Sequence, residues 1–442
     1  MVTANLAETM EENTLALEAP QKEEAAQMAI EVFEKQPTNV LSTEQLAKEA
    51  VTKIATIGNE LSQYLFERES EIKSLMIGLL TGQHVLLLGP PGTGKSYLAE
   101  EFFKRVLSST YFQWMLNKTT DPSELLGPFS IKGMENEKFL RITKGKLPEA
   151  DFSFIDEVFR GNSAILDTLL SLMNERVYYN DGERLPARLK LMVGATNSFP
   201  EDEGLDAFYD RFLMRHWVDY IQDGQAQFNM MKYSAAVRAG AINPTTASVT
   251  LQEVEAAQDL VNKVKINDGA LNALQKVFHE LKTKHSINIS DRRTNACIHI
   301  MQAHALLDGR DEIEPDDMEH LPYVLWEKKE DVEIIEGIIT KLMDPFKDRV
   351  NKLYKQARET LDKTLAMTDN TERANAAIDA RTILERTQKT IQENIDKAKA
   401  FGRKTGDFET KRDEVGAMVK ELMDKCLFNM NEMMMDSGEL PF

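Results

Sequence analysis

At 442 residues the chain is too long for one ordinary hydrophobic core, so two or three domains are expected. Its 42% hydrophobic and 28% charged content is that of a soluble globular protein, and a net charge of -19 opposes broad binding to nucleic acid or anionic membrane. Only two cysteines, Cys297 and Cys426, no secretory pattern and no run near the roughly 20 apolar residues of a membrane span lead to the expectation of a cytosolic protein without disulfides.

Residues 1–44 carry nine Glu against two Lys, and their apolar residues are scattered, which reads as a solvated acidic tail. The patch Met28-Ala29-Ile30-Glu31-Val32-Phe33 leaves a docking segment as the alternative. From 45 to 225 strand-like apolar runs, at 84–88, 111–116, 152–156 and 189–195, alternate with helical patterns. Such alternation predicts a parallel sheet covered by helices on both faces. Ile72, Leu75, Met76, Leu79 and Leu80 mark one face of a helix before the first strand, ended by Gly82.

Directly after that strand stands Gly89-Pro90-Pro91-Gly92-Thr93-Gly94-Lys95-Ser96, and together with Tyr97, which follows it at the start of a helical pattern, it is the candidate nucleotide-binding segment. It satisfies G-x-x-x-x-G-K-[ST], the phosphate-binding loop of nucleoside triphosphatases. The glycines permit positive φ and close approach of N–H groups to phosphate, and the helix start adds its partial positive charge. Lys95 would reach the β and γ phosphates and the Ser96 hydroxyl would hold Mg²⁺. Phe152-Ser153-Phe154-Ile155 leads into Asp156 and Glu157. Asp156 would bind Mg²⁺ through its water shell, and Glu157, pointing the other way by strand alternation, would accept a proton from an attacking water. Leu191-Met192-Val193-Gly194-Ala195-Thr196 ends in Asn197, whose amide could hold that water.

Arg211 lies in Asp210-Arg211-Phe212-Leu213-Met214-Arg215. It could stabilise a transferring phosphoryl group from a neighbouring subunit, or pair with Asp206 or Asp210 of its own chain. Residues 226–330 lose the strand signals and show helices over 248–263, 268–283, 291–307 and 315–325, a small all-helical domain. Ser290 caps the third, Gly309 follows it, and Pro315 opens the fourth. Arg292 and Arg293, at a helix start where cations are unfavourable, point to an anion nearby. In residues 331–442, Phe346, Val350, Leu353, Ala357, Leu361 and Leu365, then Ile378, Leu384, Ile391 and Ile395, predict a helical hairpin of coiled-coil type turning at Thr368-Asp369-Asn370. The tail Met430-Asn431-Glu432-Met433-Met434-Met435 is adaptable apolar surface.

Taken together, these motifs resemble an AAA+ ATPase of the MoxR family. Leu65-Phe66-Glu67-Arg68, Gly127-Pro128-Phe129-Ser130, Asn174-Glu175-Arg176, Tyr209-Asp210-Arg211 and Leu307-Asp308-Gly309-Arg310 are similar to its RavA-like branch. The resemblance covers about residues 60–345. It implies an α/β P-loop AAA+ core, an all-α lid domain over 226–330 and a C-terminal helical extension over 331–442. It makes Lys95 and Ser96 Walker A, Asp156 and Glu157 Walker B, Asn197 sensor 1, Arg292 sensor 2, and Arg211 a finger acting in trans, with Arg215 as the alternative finger. ATP and Mg²⁺ are the implied cofactors. A homo-oligomeric ring, a hexamer, with a protein client and a von Willebrand factor A domain partner is the implied assembly. Residues 127–147 match the insert that projects toward the pore, and 176–190 the hairpin before sensor 1. The β-rich insertion of RavA-like proteins has no counterpart beyond 331. A nucleic-acid motor and a slow nucleotide-gated scaffold are the rival readings.

Overall fold

The computed structural model of the chain describes residues 42–199, 205–241, 247–367, 369–400 and 405–427. Met1–Leu46 groups apart from Ala47–Phe442. Of that first unit only the start of helix Thr43–Ser62 is described, where Ser42 and Gln45 exchange the two hydrogen bonds of a capping box. Residues 1–41 of the acidic tail, with its patch at 28–33, and the methionine tail at 430–435 lie outside the described residues, while Thr43 and Glu44 already belong to the helix.

The strands in chain order are β1 (His84–Leu88), β2 (Val106–Leu107), β3 (Tyr111–Met115), β4 (Phe152–Asp156), β5 (Val177–Asn180), β6 (Glu183–Pro186), β7 (Leu191–Thr196), β8 (Phe212–Trp217) and β9 (Val249–Thr250). Five of them form one parallel sheet in the order β3-β4-β7-β1-β8. Every residue of β1 and β7 is buried, as continuous apolar strands covered on both faces should be. The expected strands at 84–88, 111–116, 152–156 and 189–195 are present within two residues at each end. β8 is an addition. Arg215 and His216 interrupt its apolar run, yet both are buried.

Helix Glu69–Thr81 packs against this sheet and ends where Gly82 takes φ 67°, as its sequence pattern predicts. The hairpin β5–β6 closes through Asp181 and Gly182, both at positive φ, the conformation of a type I′ turn. Beyond the core, helices Leu251–Val261, Asp268–His285 and Asp291–Leu307 are capped by Thr250, Asn267 and Ser290. The fourth expected helix differs: Pro315–His320 is a 3₁₀ turn, and Pro322 starts a separate short helix, Pro322–Leu325. Helix Gly224–Arg238 and then the short strand β9, paired with β2, precede helix Leu251–Val261, and sequence patterning showed neither.

The C-terminal region is a three-helix bundle, Pro345–Leu365, Asn370–Ala400 and Gly406–Leu422, rather than the expected hairpin. Phe408, Val415, Met418 and Leu422 of the third helix share a core with Val350, Ala357, Leu361, Leu384, Ile391 and Ile395. Ile378, expected in that stripe, is 54% exposed; Ala377 and Ala380 take the inward positions. Among the described residues beyond 331 every element is helical, and none of the described helices is long and apolar enough to cross a membrane.

Candidate nucleotide site

β1 sits inside the sheet between β7 and β8, so the loop that follows it emerges at the centre of the carboxyl edge. Gly89 N donates to Thr196 O at 3.1 Å, joining the loop to the end of β7. A Cβ at Gly89 would stand 2.0 Å from Val218 O, so only glycine allows this approach. Gly92 and Gly94 have φ 82° and 83°, and a Cβ at either would meet nothing within 4 Å. Backbone conformation alone demands glycine there, above open space.

Helix Lys95–Phe103 starts from this loop. Lys95 Nζ donates to Gly89 O at 2.7 Å, Pro90 O at 2.9 Å and Asn197 Oδ1 at 3.3 Å. Burial holds the ammonium below its ordinary range, while Asp156 and Glu157 pull it back up. A cation held half-desolvated over a glycine loop suits an incoming polyanion. The Ser96 hydroxyl is exposed in the first turn of the same helix, and Asp156 closes β4. One hydroxyl and one carboxylate leave most positions to water and phosphate oxygens, the ligand set that Mg²⁺ favours.

β4 ends at Asp156, and Glu157 takes φ 50° and ψ 44°. This left-handed turn, and not strand alternation as expected, directs its carboxylate. Glu157 N donates to Asp156 Oδ1 at 2.9 Å. Glu157 Oε1 accepts from Asn197 Nδ2 at 2.6 Å, and Oε2 lies 3.2 Å from Arg160 Nε. Lys95, Asn197 and Glu157 therefore form one chain of contacts across the ends of β1, β7 and β4.

Beside Gly92–Gly94 opens a cavity of about 500 Å³ lined by Tyr64, Arg68, Tyr97, Tyr220, Met230 and Tyr233. Of these, sequence reasoning assigned a binding role to Tyr97 alone. Arg68, quoted only for family resemblance, donates to Thr93 O and Asp219 O and so braces the loop. Tyr64 and Tyr233 are 169 positions apart along the chain and stack at 5.1 Å. No local pattern announces such a pair.

Arg211 and Arg292 lie elsewhere. Arg211 immediately precedes β8, whose first residue Phe212 pairs with His84 at the opposite end of β1 from the loop. The five residues of β1 put about 16 Å between those ends. Arg292 Nη1 donates to Asp210 O at 3.1 Å and approaches Asp210 Oδ2 at 3.4 Å, and Arg293 Nε reaches Asp210 Oδ1 at 3.1 Å. Asp210 is thus taken by Arg292 and Arg293, while Arg211 Nε is buried without a hydrogen-bond partner. Arg292 also lies near enough to Arg211 for their like charges to lower its pKa, after burial. In this structure Arg292 stands with Arg211 at the far edge of the sheet, away from Lys95 of the same chain. Arg215, the alternative finger, is wholly buried in β8, donating to Phe212 O at 2.9 Å and Trp326 O at 3.1 Å. It is a structural residue.

Residues 52–259 match a family model described as the MoxR domain in MoxR-vWA-beta-propeller ternary systems, and residues 270–339 match an AAA lid domain. An uncharacterised protein of Methanocaldococcus jannaschii is 34% identical over 303 residues, 68% of this chain and 77% of that protein. The chaperone MoxR1 of Mycobacterium tuberculosis is 27% identical over 278 residues, 60% of this chain and 72% of its own. A solved structure from Cytophaga hutchinsonii, described as a candidate ATPase, agrees in fold with a TM-score of 0.54 at 21% identity, covering 67% of this chain and 96% of that one.

Proposed function

Because the chain belongs to the MoxR family of AAA+ ATPases, we propose that it hydrolyses ATP with Mg²⁺ in a homo-oligomeric ring and spends the cycle on remodelling a protein client. One observation carries the reading: Lys95, Asn197 and Glu157 touch in sequence at the loop, with Ser96 and Asp156 beside them. ATP supplies the phosphoanhydride bond, and Mg²⁺ the charge that its phosphates need. Lys95 binds the β and γ phosphates, and Ser96 and Asp156 hold the metal and its water shell. Glu157 accepts the proton of the attacking water, which Asn197 orients through its amide. The cavity beside the loop takes the nucleoside.

The placement of Arg211 and Arg292 supports assembly. Two arginines at the far edge of the sheet serve phosphate chemistry only if that edge faces the loop of another subunit, and a closed ring, by family a hexamer, repeats that contact. A partner with a von Willebrand factor A domain, and a client matured or remodelled in the cytosol, follow the systems for which the matching family model is named and the chaperone named among its relatives. Within the family we assign the chain to the RavA-like branch on the motifs quoted above, without the partners of the β-rich insertion.

Phosphate release and ATP affinity of Glu157→Gln and Lys95→Ala test the reading. Glu157→Gln should bind ATP and lose turnover by about 10²–10⁴-fold, and Lys95→Ala should lose binding. Hydrolysis undiminished in Glu157→Gln would remove the assigned base, and unaltered affinity in Lys95→Ala would remove the phosphate loop.

A further inference from the structure

Helix Gly224–Arg238 buries none of its 15 residues, and a free helix of that length is marginal in water. Its place therefore depends on a few contacts. Gln227, Met230, Tyr233 and Val237, at helical spacing, line the cavity beside Gly92–Gly94, while Phe228 and Met231 stand 51% and 55% exposed. The same cavity is lined by Tyr64, Leu65, Phe66 and Arg68, all from the segment that precedes helix Glu69–Thr81. Tyr64 of that segment meets the helix in its stack on Tyr233.

Three residues on, the segment holds the helix a second time, at its start. The half-buried Glu67 accepts from Gln222 N at 2.9 Å on Oε2 and from Asp223 N at 2.8 Å on Oε1, groups 155 and 156 positions away. Asp223 is the N-cap and accepts from Ala226 N at 2.7 Å, so two carboxylates sit at the positive end of the helix. Glu67 has φ 55°, a left-handed conformation uncommon outside glycine and kept only where the surroundings fix it. Arg68 donates to Glu67 O, Asp219 O and Thr93 O, and the Tyr220 hydroxyl donates to Pro91 O at 3.1 Å. Residues 219–223 are thus tied to the phosphate loop through Arg68 and Tyr220, and to Glu67 where the helix begins.

We propose that Glu67 is the positioning residue that docks helix Gly224–Arg238, and that it thereby sets how firmly the nucleoside is held; only the second clause rests on the nucleotide reading of the cavity. Each carboxylate oxygen takes one backbone N–H, so both amides are satisfied by a single charged group. A neutral amide at this position accepts from one of them and turns an N–H toward the other. The consequence for binding is a matter of population. A helix docked only a tenth of the time weakens the nucleotide by about tenfold, with the contacts of Lys95 to phosphate unaltered.

The test uses the full chain. Deuterium uptake over residues 224–238, read by mass spectrometry without nucleotide, should rise in Glu67→Ala and rise less in Glu67→Gln. Calorimetry should show ATP bound about tenfold more weakly by Glu67→Ala, with the affinity for inorganic tripolyphosphate and the turnover at saturating ATP as in wild type. Because Tyr233 acts through the same helix, Glu67→Ala/Tyr233→Ala should lose less than the product of the two single losses. Wild-type uptake in both Glu67 variants, raised uptake with ATP affinity unchanged, an equal loss for tripolyphosphate, or fully multiplicative losses in the double variant would each overturn the assignment. A wild-type chain that binds no ATP would sink the nucleotide reading alone, because uptake still decides whether Glu67 docks the helix.

Discussion

Asn197 Nδ2 donates to Glu157 Oε1 at 2.6 Å, while Asn197 Oδ1 accepts from Lys95 Nζ at 3.3 Å. A single amide thus joins the proposed phosphate-binding cation to the proposed general base, with its donor and acceptor atoms assigned by opposite partners. Replacing it with Ala keeps Lys95 on Gly89 O and Pro90 O but frees the Glu157 carboxylate to follow Arg160. Asn197→Ala should therefore keep ATP affinity within a few-fold and lose turnover by about 10²-fold. Titration of ATP binding beside steady-state phosphate release separates the two. A fall in affinity with turnover per bound ATP unchanged would make Asn197 a binding residue.

Arg211 and Arg292 stand together around Asp210, a strand length from their own phosphate loop. Both should act on a neighbouring subunit. Arg211→Ala and Arg292→Ala should each abolish turnover in uniform rings while ATP binding persists. Either one mixed with Glu157→Gln should recover part of the activity, because some interfaces then pair an intact base with intact arginines. Inactive mixtures in which exchange of subunits is demonstrated would place the arginines in cis.

How much of this was legible beforehand follows from how local each feature is. The phosphate loop is a contiguous chemistry, with Gly92, Gly94, Lys95 and Ser96 needed at fixed spacing, so the sequence alone marks it. β8 was hidden because Arg215 and His216 break its apolar run; their partners, Trp326 O and the Ser74 hydroxyl, lie 111 and 142 positions away. Glu157 was placed on the expected strand end but turned by a left-handed backbone that strand alternation cannot foresee. Arg292 was identified as a charge at a helix start, yet which anion it meets depends on where the helical region packs. The third helix of the C-terminal bundle escaped because its inward residues, Phe408, Val415, Met418 and Leu422, are sparse among charged neighbours.

Ser74 Oγ lies 2.6 Å from Nε2 of both His216 and His320, joining helix Glu69–Thr81, β8 and the 3₁₀ turn of the helical region. One hydroxyl proton serves only one ring, so the other imidazole must donate to it, and both rings stay neutral. Burial pulls His216 down to about 3 and His320 well below its ordinary value, with His216, His304 and Lys73 adding to the latter. Folded pKa values below the unfolded one mean that the unfolded chain binds more protons between them. Stability is therefore complete above about pH 6.5 and falls as pH drops, by about 1.4 kcal/mol per unit for each histidine. The two histidines should together contribute about 3 kcal/mol of loss from pH 7.5 to 5.5 in chemical denaturation, beside that of the buried His84, and His216→Gln/His320→Gln should reduce the slope by that share. A slope unaltered by the double substitution would assign the pH dependence to other groups.

Tyr233 stacks on Tyr64 with ring centroids 5.1 Å and planes 4° apart, beside the cavity next to Gly92–Gly94. Tyr64 is fixed in turn, its hydroxyl donating to Glu101 at 3.1 Å and accepting from Arg105 at 2.7 Å. The helix that carries Tyr233, Gly224–Arg238, buries none of its residues, so this ring is a main point of attachment over the cavity. A nucleobase entering there would meet aromatic faces, a contact worth about 1–3 kcal/mol by alanine substitution. Tyr233→Ala should weaken ATP binding by about tenfold while leaving the affinity for inorganic tripolyphosphate unchanged, and Tyr233→Phe should behave as wild type. Calorimetry with both ligands reads the difference. A parallel loss for ATP and tripolyphosphate would mean that the helix supports the phosphate loop, and no loss for either would place the base outside this cavity.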